Sequence, residues 1–379
     1  MKTKAAVLHK SGGHARPYTE SKPLSIEEVT LGKPGKYEVI VQIKAAGLCH
    51  SDLSVIDGNR PRPMPMVLGH EAAGIIVELG EDVKTFAVGD HVVFAFLPSC
   101  GHCEYCMSGR AALCEPGAKA NNEGLLLNGD RKLKNSQGED YYHHLGVSGF
   151  AEYAIASIYS LVKIDKSYPF EIAALFGCAV MTGVGAVVHT AELHVGESIL
   201  VVGLGGVGLS AILGAKAAGA SQIIAADVNL DKLAVAKAYG ATDIIDSSEE
   251  GALEKLKGKL TLAGVDKSVE FAGAMSALDF AFNATKKGGV TVTGALPHPD
   301  ARLSLNPLTL VGQEKTLKGC YLGSCVPSID IPNFLALYQQ GRLPVDQLIS
   351  HRIRLEDINE GFERLAAGDA IRQVIIFED

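Results

Sequence analysis

No stretch of this sequence approaches 18 uncharged apolar residues, and its N-terminus, MKTKAAVLHKSGG, has no apolar core of signal-peptide length. Membrane spanning and secretion both lose their support, and a cytoplasmic protein is the expectation. Lys and Arg are scattered and the net charge is −8, so the basic patch that a nucleic-acid surface needs is missing. Internal repeats and low-complexity tracts are lacking too. What remains is a 379-residue chain with 47% apolar content and 21% charge, long enough for two domains each with its own core. Small-molecule chemistry is the default for such a chain.

Cysteine is also scarce, yet four of the eight fall within fifteen positions, CGHCEYCMSGRAALC at residues 100–114. A reducing cytoplasm makes disulfides improbable and shifts a cluster toward metal binding or catalysis. Cys100, Cys103, Cys106 and Cys114 read C-x2-C-x2-C-x7-C, a loop that can fold back to bring four thiolates to the corners of one tetrahedron, which suits zinc. The rival is an iron-sulfur cubane, whose bacterial run ends in a three-residue gap and a proline. Here the last gap is seven and Glu115 follows. Four protein thiolates leave no open position, so such a zinc is structural.

Three other residues make a second set. GLCHSD holds Cys49 beside His50, Ser51 and Asp52; GHEAAG holds His70 beside Glu71; FGCAVMTG holds Cys178. Cys178 by itself reads as a small core residue. Two cysteines and a histidine from distant segments together are what a catalytic zinc uses when its fourth position stays open. Cys320 and Cys325 find no such company and read as packing thiols.

The stretch SILVVGLGGVGLSAILGAKAAGASQIIAADVNLDKL, residues 198–233, reads as strand, turn, helix, strand. Gly203-x-Gly205-x-x-Gly208, with Gly206 and Val207 inside it, follows the first strand, and Asp227 ends the second, nineteen positions after the last glycine. Glycines let backbone approach a pyrophosphate, the helix N-terminus faces its charge, and Asp227 can accept from the adenosine ribose hydroxyls. A carboxylate there repels a 2′-phosphate, which favours NAD over NADP.

Residues 1 to about 179 show short alternating runs broken by Gly and Pro, as in a mostly β domain. Residues 180–321 alternate strands with Ala-rich helices, as in a doubly wound parallel sheet. The remainder, 322–379, carries a helix near Ile331–Gln340, another near Leu355–Ala367 and a final strand, RQVIIF. The polar, Gly-rich stretch Asn121–Tyr142 reads as a long surface loop. The active site is expected in the cleft between the two lobes.

Taken together, C-x20-H-E, the four-cysteine lobe, the later lone Cys and GLGGVG with its downstream Asp resemble the zinc-dependent alcohol dehydrogenases of the medium-chain dehydrogenase/reductase superfamily, over essentially the whole chain. The resemblance implies an α/β plus β molecule: a GroES-like catalytic domain from residues 1–179 and 322–379, and a Rossmann domain, 180–321, between them. It implies that Cys49, His70 and Cys178 hold a catalytic zinc, with Glu71 behind the metal and Asp52 as partner of His70. Ser51 matches the hydroxyl that passes the alcohol proton. Asp227 and Lys232 match adenosine-ribose contacts, and His50 and Arg372 match pyrophosphate contacts. Phe96, His144, Ala295 and Tyr321 fall near the substrate, which favours medium-chain or aromatic primary alcohols and aldehydes. The long segment between Cys114 and Phe150 resembles the dimeric liver-type branch, so a homodimer is favoured over a tetramer.

The chain also departs from the pattern. Where the liver-type proton relay ends in a histidine, it has Ser54. Where glutathione-dependent formaldehyde dehydrogenases carry an arginine, it has Ala118, and its third ligand is Cys178 where polyol dehydrogenases use Glu. A second class of function, a catalytically silent NAD-binding relative, has no reason to keep Cys49, His70, Glu71, Cys178 and Ser51 together.

Overall fold

A long strand, Glu38–Leu48, organises the first half of the chain. Its sequence, EVIVQIKAAGL, is apolar on both faces and buried along most of its length, which suits a strand covered on both sides. Along one edge it pairs antiparallel with Ala72–Leu79. Its other edge is shared: Tyr153–Ser157 pairs with the first part, and Arg372–Ile376, from the chain's last segment, pairs with the second. The C-terminal segment is thereby brought beside Leu48 and the residues that follow it.

The computed structural model describes residues 1–260 and 263–378. Among them, the sheet has seven strands, extended by His91–Phe94 and Leu161–Ile164 on one side and by Ile349–Ile353 on the other. A small closed barrel joins Lys2–Leu8, Leu24–Leu31, Leu133–Lys134, Asp140–His143 and Met66–Val67. Val7, Val29, Leu31, Val67, Leu133 and Tyr141 fill it. One of those strands, Leu133–Lys134, and most of another, Asp140–His143, fall inside Asn121–Tyr142, so the surface loop expected there is corrected. Leu126, Leu133 and Tyr141 point inward, but runs of two and four residues are too short to show a period of two. The start of that stretch is the end of a helix, Glu115–Glu123.

These elements belong to one compact unit, Met1–Cys178 with Val326–Ala336 and the residues from Asp346 onward. The second unit is Ala179–Cys325 with Leu337–Val345. That last excursion is placed by Leu343 and Val345, both fully buried, and by Arg342, whose Nη2 donates to the Ala217 carbonyl at 3.1 Å.

The second unit is built on a parallel sheet. Its six strands run, across the sheet, Asp243–Asp246, Gln222–Asp227, Ser198–Val202, Val265–Glu270, Thr285–Thr293 and Thr316–Gly319. In chain order this is 3-2-1-4-5-6, the dinucleotide-binding arrangement whose ligand crevice opens at the carboxyl ends of the strands where the order reverses. Helices Gly206–Ala217, Leu230–Tyr239 and Met275–Ala284 lie in the connections between strands. No described helix is long and apolar enough to cross a membrane.

Candidate active site and metal centres

Cys49 ends the extended strand and caps the helix His50–Ile56. Its backbone N–H donates to Asp52 Oδ2 at 3.1 Å, which turns the Asp52 side chain back over the helix start. Asp52 is fully buried, and its Oδ1 accepts from His70 Nδ1 at 2.9 Å. That bond fixes the tautomer: with Nδ1 occupied as donor, Nε2 is the atom His70 has left. His70 Nε2 is buried with no hydrogen-bond partner among the described residues.

Donor atoms of Cys49, His70 and Cys178 lie within 4.8 Å of one another, and all three residues are buried. The three are far apart in sequence and meet because the long strand, the return after Val67 and the end of the first unit converge there. Their protonation is shaped by mutual contact. The Cys178 thiol hydrogen-bonds Cys49 and, against the opposing effect of burial, His70 and Arg372 help hold Cys49 well below the usual thiol range. The same bond, together with burial, pushes Cys178 well above it. For His70, burial is outweighed by the Asp52 carboxylate, which raises the imidazole well above its ordinary value. Two thiols and one buried imidazole Nε2 that converge here fit zinc, which binds once their protons leave, and a three-ligand set leaves a position for substrate.

Glu71 lies behind this set, fully buried, and pairs with Arg372, itself 4% exposed. Gly47 makes the room: a Cβ there would lie 2.2 Å from Glu71 Oε1. Arg372 thus serves first as the counter-ion of Glu71, beside the metal ligands. His144 is buried with Nδ1 3.3 Å from Asp52 Oδ1, and Phe96 stands edge-on to the His70 ring at 5.4 Å between centroids. Ser51 is half-buried in the first turn of the helix, and His50 is exposed there. Ser54, where a relay histidine would stand, spends its hydroxyl on the His50 carbonyl at 2.9 Å.

The four-cysteine loop closes as its spacing suggests. Cys100, Cys103, Cys106 and Cys114 bring their sulfurs within 4.8 Å of one another, and all are free of disulfides. Backbone N–H groups address the sulfurs, Cys100 to Cys114 at 3.3 Å and Cys103 to Cys100 at 3.4 Å. The backbone of Cys106 brings Cys103 down to about 6, while burial pushes Cys106 up to about 12. A tetrad of this chemistry fits a fully coordinated zinc.

In the second unit the glycine turn follows the first strand. Gly203 has φ 87°, and a Cβ on Gly208 would lie 1.9 Å from the Gly203 carbonyl. A Cβ on Gly205 meets nothing within 4 Å, so the backbone that caps helix Gly206–Ala217, with Val207 in its first turn, is open to an incoming anion. Asp227 is anchored there: Oδ2 accepts from Leu204 N at 2.7 Å and Oδ1 from Asn229 N at 3.0 Å. Lys232 is in the first turn of the next helix, Leu230–Tyr239.

Two family patterns match this chain: the alcohol dehydrogenase GroES-like domain over residues 35–166 and the zinc-binding dehydrogenase domain over residues 206–340. An alcohol dehydrogenase zinc-binding domain protein from Burkholderia ambifaria is 33% identical, with a TM-score of 0.93 and both chains covered completely. The chain belongs to the zinc-type medium-chain alcohol dehydrogenases. Benzyl alcohol dehydrogenase from Acinetobacter calcoaceticus is 31% identical, TM-score 0.92, again over the whole of both chains. A Sinorhizobium meliloti 1021 protein solved with NADP is 25% identical, TM-score 0.80, over all of both chains.

Within this dehydrogenase, Ala295 follows the strand Thr285–Thr293 and Tyr321 follows Thr316–Gly319, both half-buried in the second unit. Gly47 was missed by sequence reasoning, and so were the residues that grip Phe96. A glycine in a strand carries no mark of the carboxylate it must admit.

Proposed function

We propose that this dehydrogenase interconverts primary or secondary alcohols, medium-chain or aromatic ones favoured, and their aldehydes or ketones, using NAD and two zinc ions per chain. The observation that carries the reading is the buried, unpartnered His70 Nε2 between two thiols, held in its tautomer by Asp52. When bound, zinc would supply Lewis acidity toward the alcohol oxygen and NAD a hydride acceptor.

The chain's own residues do the rest. Cys49, His70 and Cys178 would hold the metal. Asp52, fixed by the Cys49 amide, keeps the His70 proton on Nδ1. Arg372 compensates the charge of Glu71, which would otherwise be buried alone beside the Cys49 and Cys178 sulfurs. Ser51 takes the alcohol proton, a task its neighbour Ser54 is unsuited to, since that hydroxyl is bonded to backbone. Phe96 and His144 wall the site against water. In the second unit Asp227 accepts from the ribose hydroxyls and opposes a 2′-phosphate, with Lys232 as a further ribose contact. His50, exposed at its helix start, is offered to the pyrophosphate. We further propose a cytoplasmic homodimer.

The test is a panel of alcohols and aldehydes with purified protein and either NAD or NADP, followed at the nicotinamide absorbance. Turnover of benzyl-type alcohols with NAD preferred is the expected result. No turnover of any alcohol, with both zincs present, would leave the silent NAD-binding class standing.

A further inference from the structure

The segment between strand His91–Phe94 and Cys100 carries Phe96, and it is gripped from two sides. On one side Ala95 N donates to the Ser160 carbonyl at 2.8 Å and Ser99 N to the Tyr159 carbonyl at 3.1 Å. On the other lies helix Glu115–Glu123, whose cap is Cys114, the last thiol of the four-cysteine loop. The helix rests directly on the segment, because a Cβ on Gly117 would be 2.2 Å from the Pro98 carbonyl. Asn121, 4% exposed, donates from Nδ2 to the Phe96 carbonyl at 2.7 Å. Its Oδ1 has no hydrogen-bond partner among the described residues, so the donation to Phe96 is what its amide does for the protein. Arg62 ties down the end of the helix, with Nη1 3.3 Å from the Asn121 carbonyl and 2.8 Å from Asn122 Oδ1.

The result is a closed frame. Cys100 ends the Phe96 segment, Cys114 begins the helix, the Cys100 amide meets the Cys114 sulfur, and Asn121 joins the helix back to Phe96. Phe96 in turn faces His70.

We propose that Asn121 is a positioning residue that sets substrate selectivity: it fixes the Phe96 carbonyl, and through the helix that starts at Cys114 it makes the shape of the alcohol pocket depend on the four-cysteine site. This rests on the reading of Phe96 as pocket wall. A pocket wall displaced by a fraction of an ångström changes how substrates of different size are ranked more than it changes the chemistry, because discrimination is the difference between two fits.

The experiment uses the zinc-loaded, full-length protein and two substitutions. Asn121→Leu keeps the volume and removes the amide, and Asn121→Asp keeps the shape and removes the donor. We expect zinc content equal to the wild type's, kcat for ethanol within about twofold, and a ratio of kcat/KM for benzyl alcohol over ethanol changed by roughly 5-fold or more, through KM. A second readout needs no turnover. The chain has no tryptophan, so Phe96→Trp would place its sole indole in the pocket wall. Adding Asn121→Leu to that protein should shift the emission to the red and raise quenching by acrylamide, and adding Cys106→Ser should do the same. An unchanged selectivity ratio with unchanged emission overturns the proposal, as does an equal loss of kcat for every alcohol. If neither Asn121 variant folds, its role is structural and the proposal fails. If the wild type oxidises no alcohol, the functional reading fails by itself, and the emission arm still decides whether Asn121 and the four-cysteine loop position Phe96.

Discussion

Asp52 shows how much one side chain can organise. One of its oxygens accepts from the Cys49 backbone and the other from His70, so a single carboxylate aligns two metal ligands from different elements. Ser51 precedes it in the same helical turn, and its hydroxyl is the one proposed to take the substrate proton. Ser51→Ala should lower kcat by roughly 10²–10⁴, the usual worth of positioned proton transfer, while zinc content and NAD affinity stay unchanged. A loss below tenfold in steady-state kinetics would move the proton to solvent without a protein intermediary. Asp227 admits a similarly sharp test. Its oxygens are pinned by Leu204 and Asn229, so the charge stays at the strand end where the proposed reading puts the ribose. Asp227→Gly should weaken NAD and improve relative use of NADP, read as a ratio of kcat/KM. A ratio unmoved within twofold would make Asp227 a strand-end anchor for the glycine turn alone.

At the scale of elements, legibility followed length and period. The strand, turn, helix and strand of residues 198–233 could be read because a β-branched run, three glycines and an acidic residue each carry their own signal at fixed spacing. The barrel strands Leu133–Lys134 and Asp140–His143 carry none, being shorter than the pattern that would reveal them. Helix Glu115–Glu123, EPGAKANNE, is polar, and tertiary contact with the Phe96 segment gives it its place. The edge strand Thr316–Gly319 hides another feature that no pattern announces. Lys315, just before it, is 7% exposed, with Nζ donating to the Phe282 carbonyl at 2.7 Å and no carboxylate paired with it among the described residues. Burial, with a smaller contribution from Lys257, lowers its pKa from the ordinary lysine value. The unfolded chain therefore holds this proton more tightly than the native one. Below the native pKa both states are protonated and the cost of the buried charge is felt in full; as pH rises through the window below 10.5, the native lysine releases its proton first and the cost declines. Lys315→Met should stabilise the protein by roughly 0.5–2 kcal/mol at pH 7, with the gain shrinking by pH 10. Calorimetric midpoints of both proteins across that range measure it, and a gain that grows with pH would contradict the sign.

For the whole molecule, the contrast that matters lies between two candidate metal sites in one unit. Both clusters could be read from the sequence as residues that meet, the four-cysteine loop because its members are adjacent and the Cys49, His70 and Cys178 set because resemblance joined residues that spacing alone could not. The physical roles differ by coordination. A tetrad with all positions filled by protein contributes its binding free energy to folding, whereas a triad with one position open contributes to chemistry. Elemental analysis of the purified protein should give two zinc ions per chain. Cys106→Ser should leave one and, if even about 3 kcal/mol of folding free energy goes with the other, lower the unfolding temperature by roughly 6–12 °C. Cys178→Ser should abolish turnover while the unfolding temperature moves by much less, because the buried pairs Asp52–His70 and Glu71–Arg372 that frame the site persist without that thiol. Iron in place of zinc, or one metal ion per chain in the unaltered protein, would overturn the assignment of the loop at residues 100–114. Equal destabilisation by the two substitutions would overturn the division of labour, since it would make the open triad as much a part of the fold as the closed tetrad.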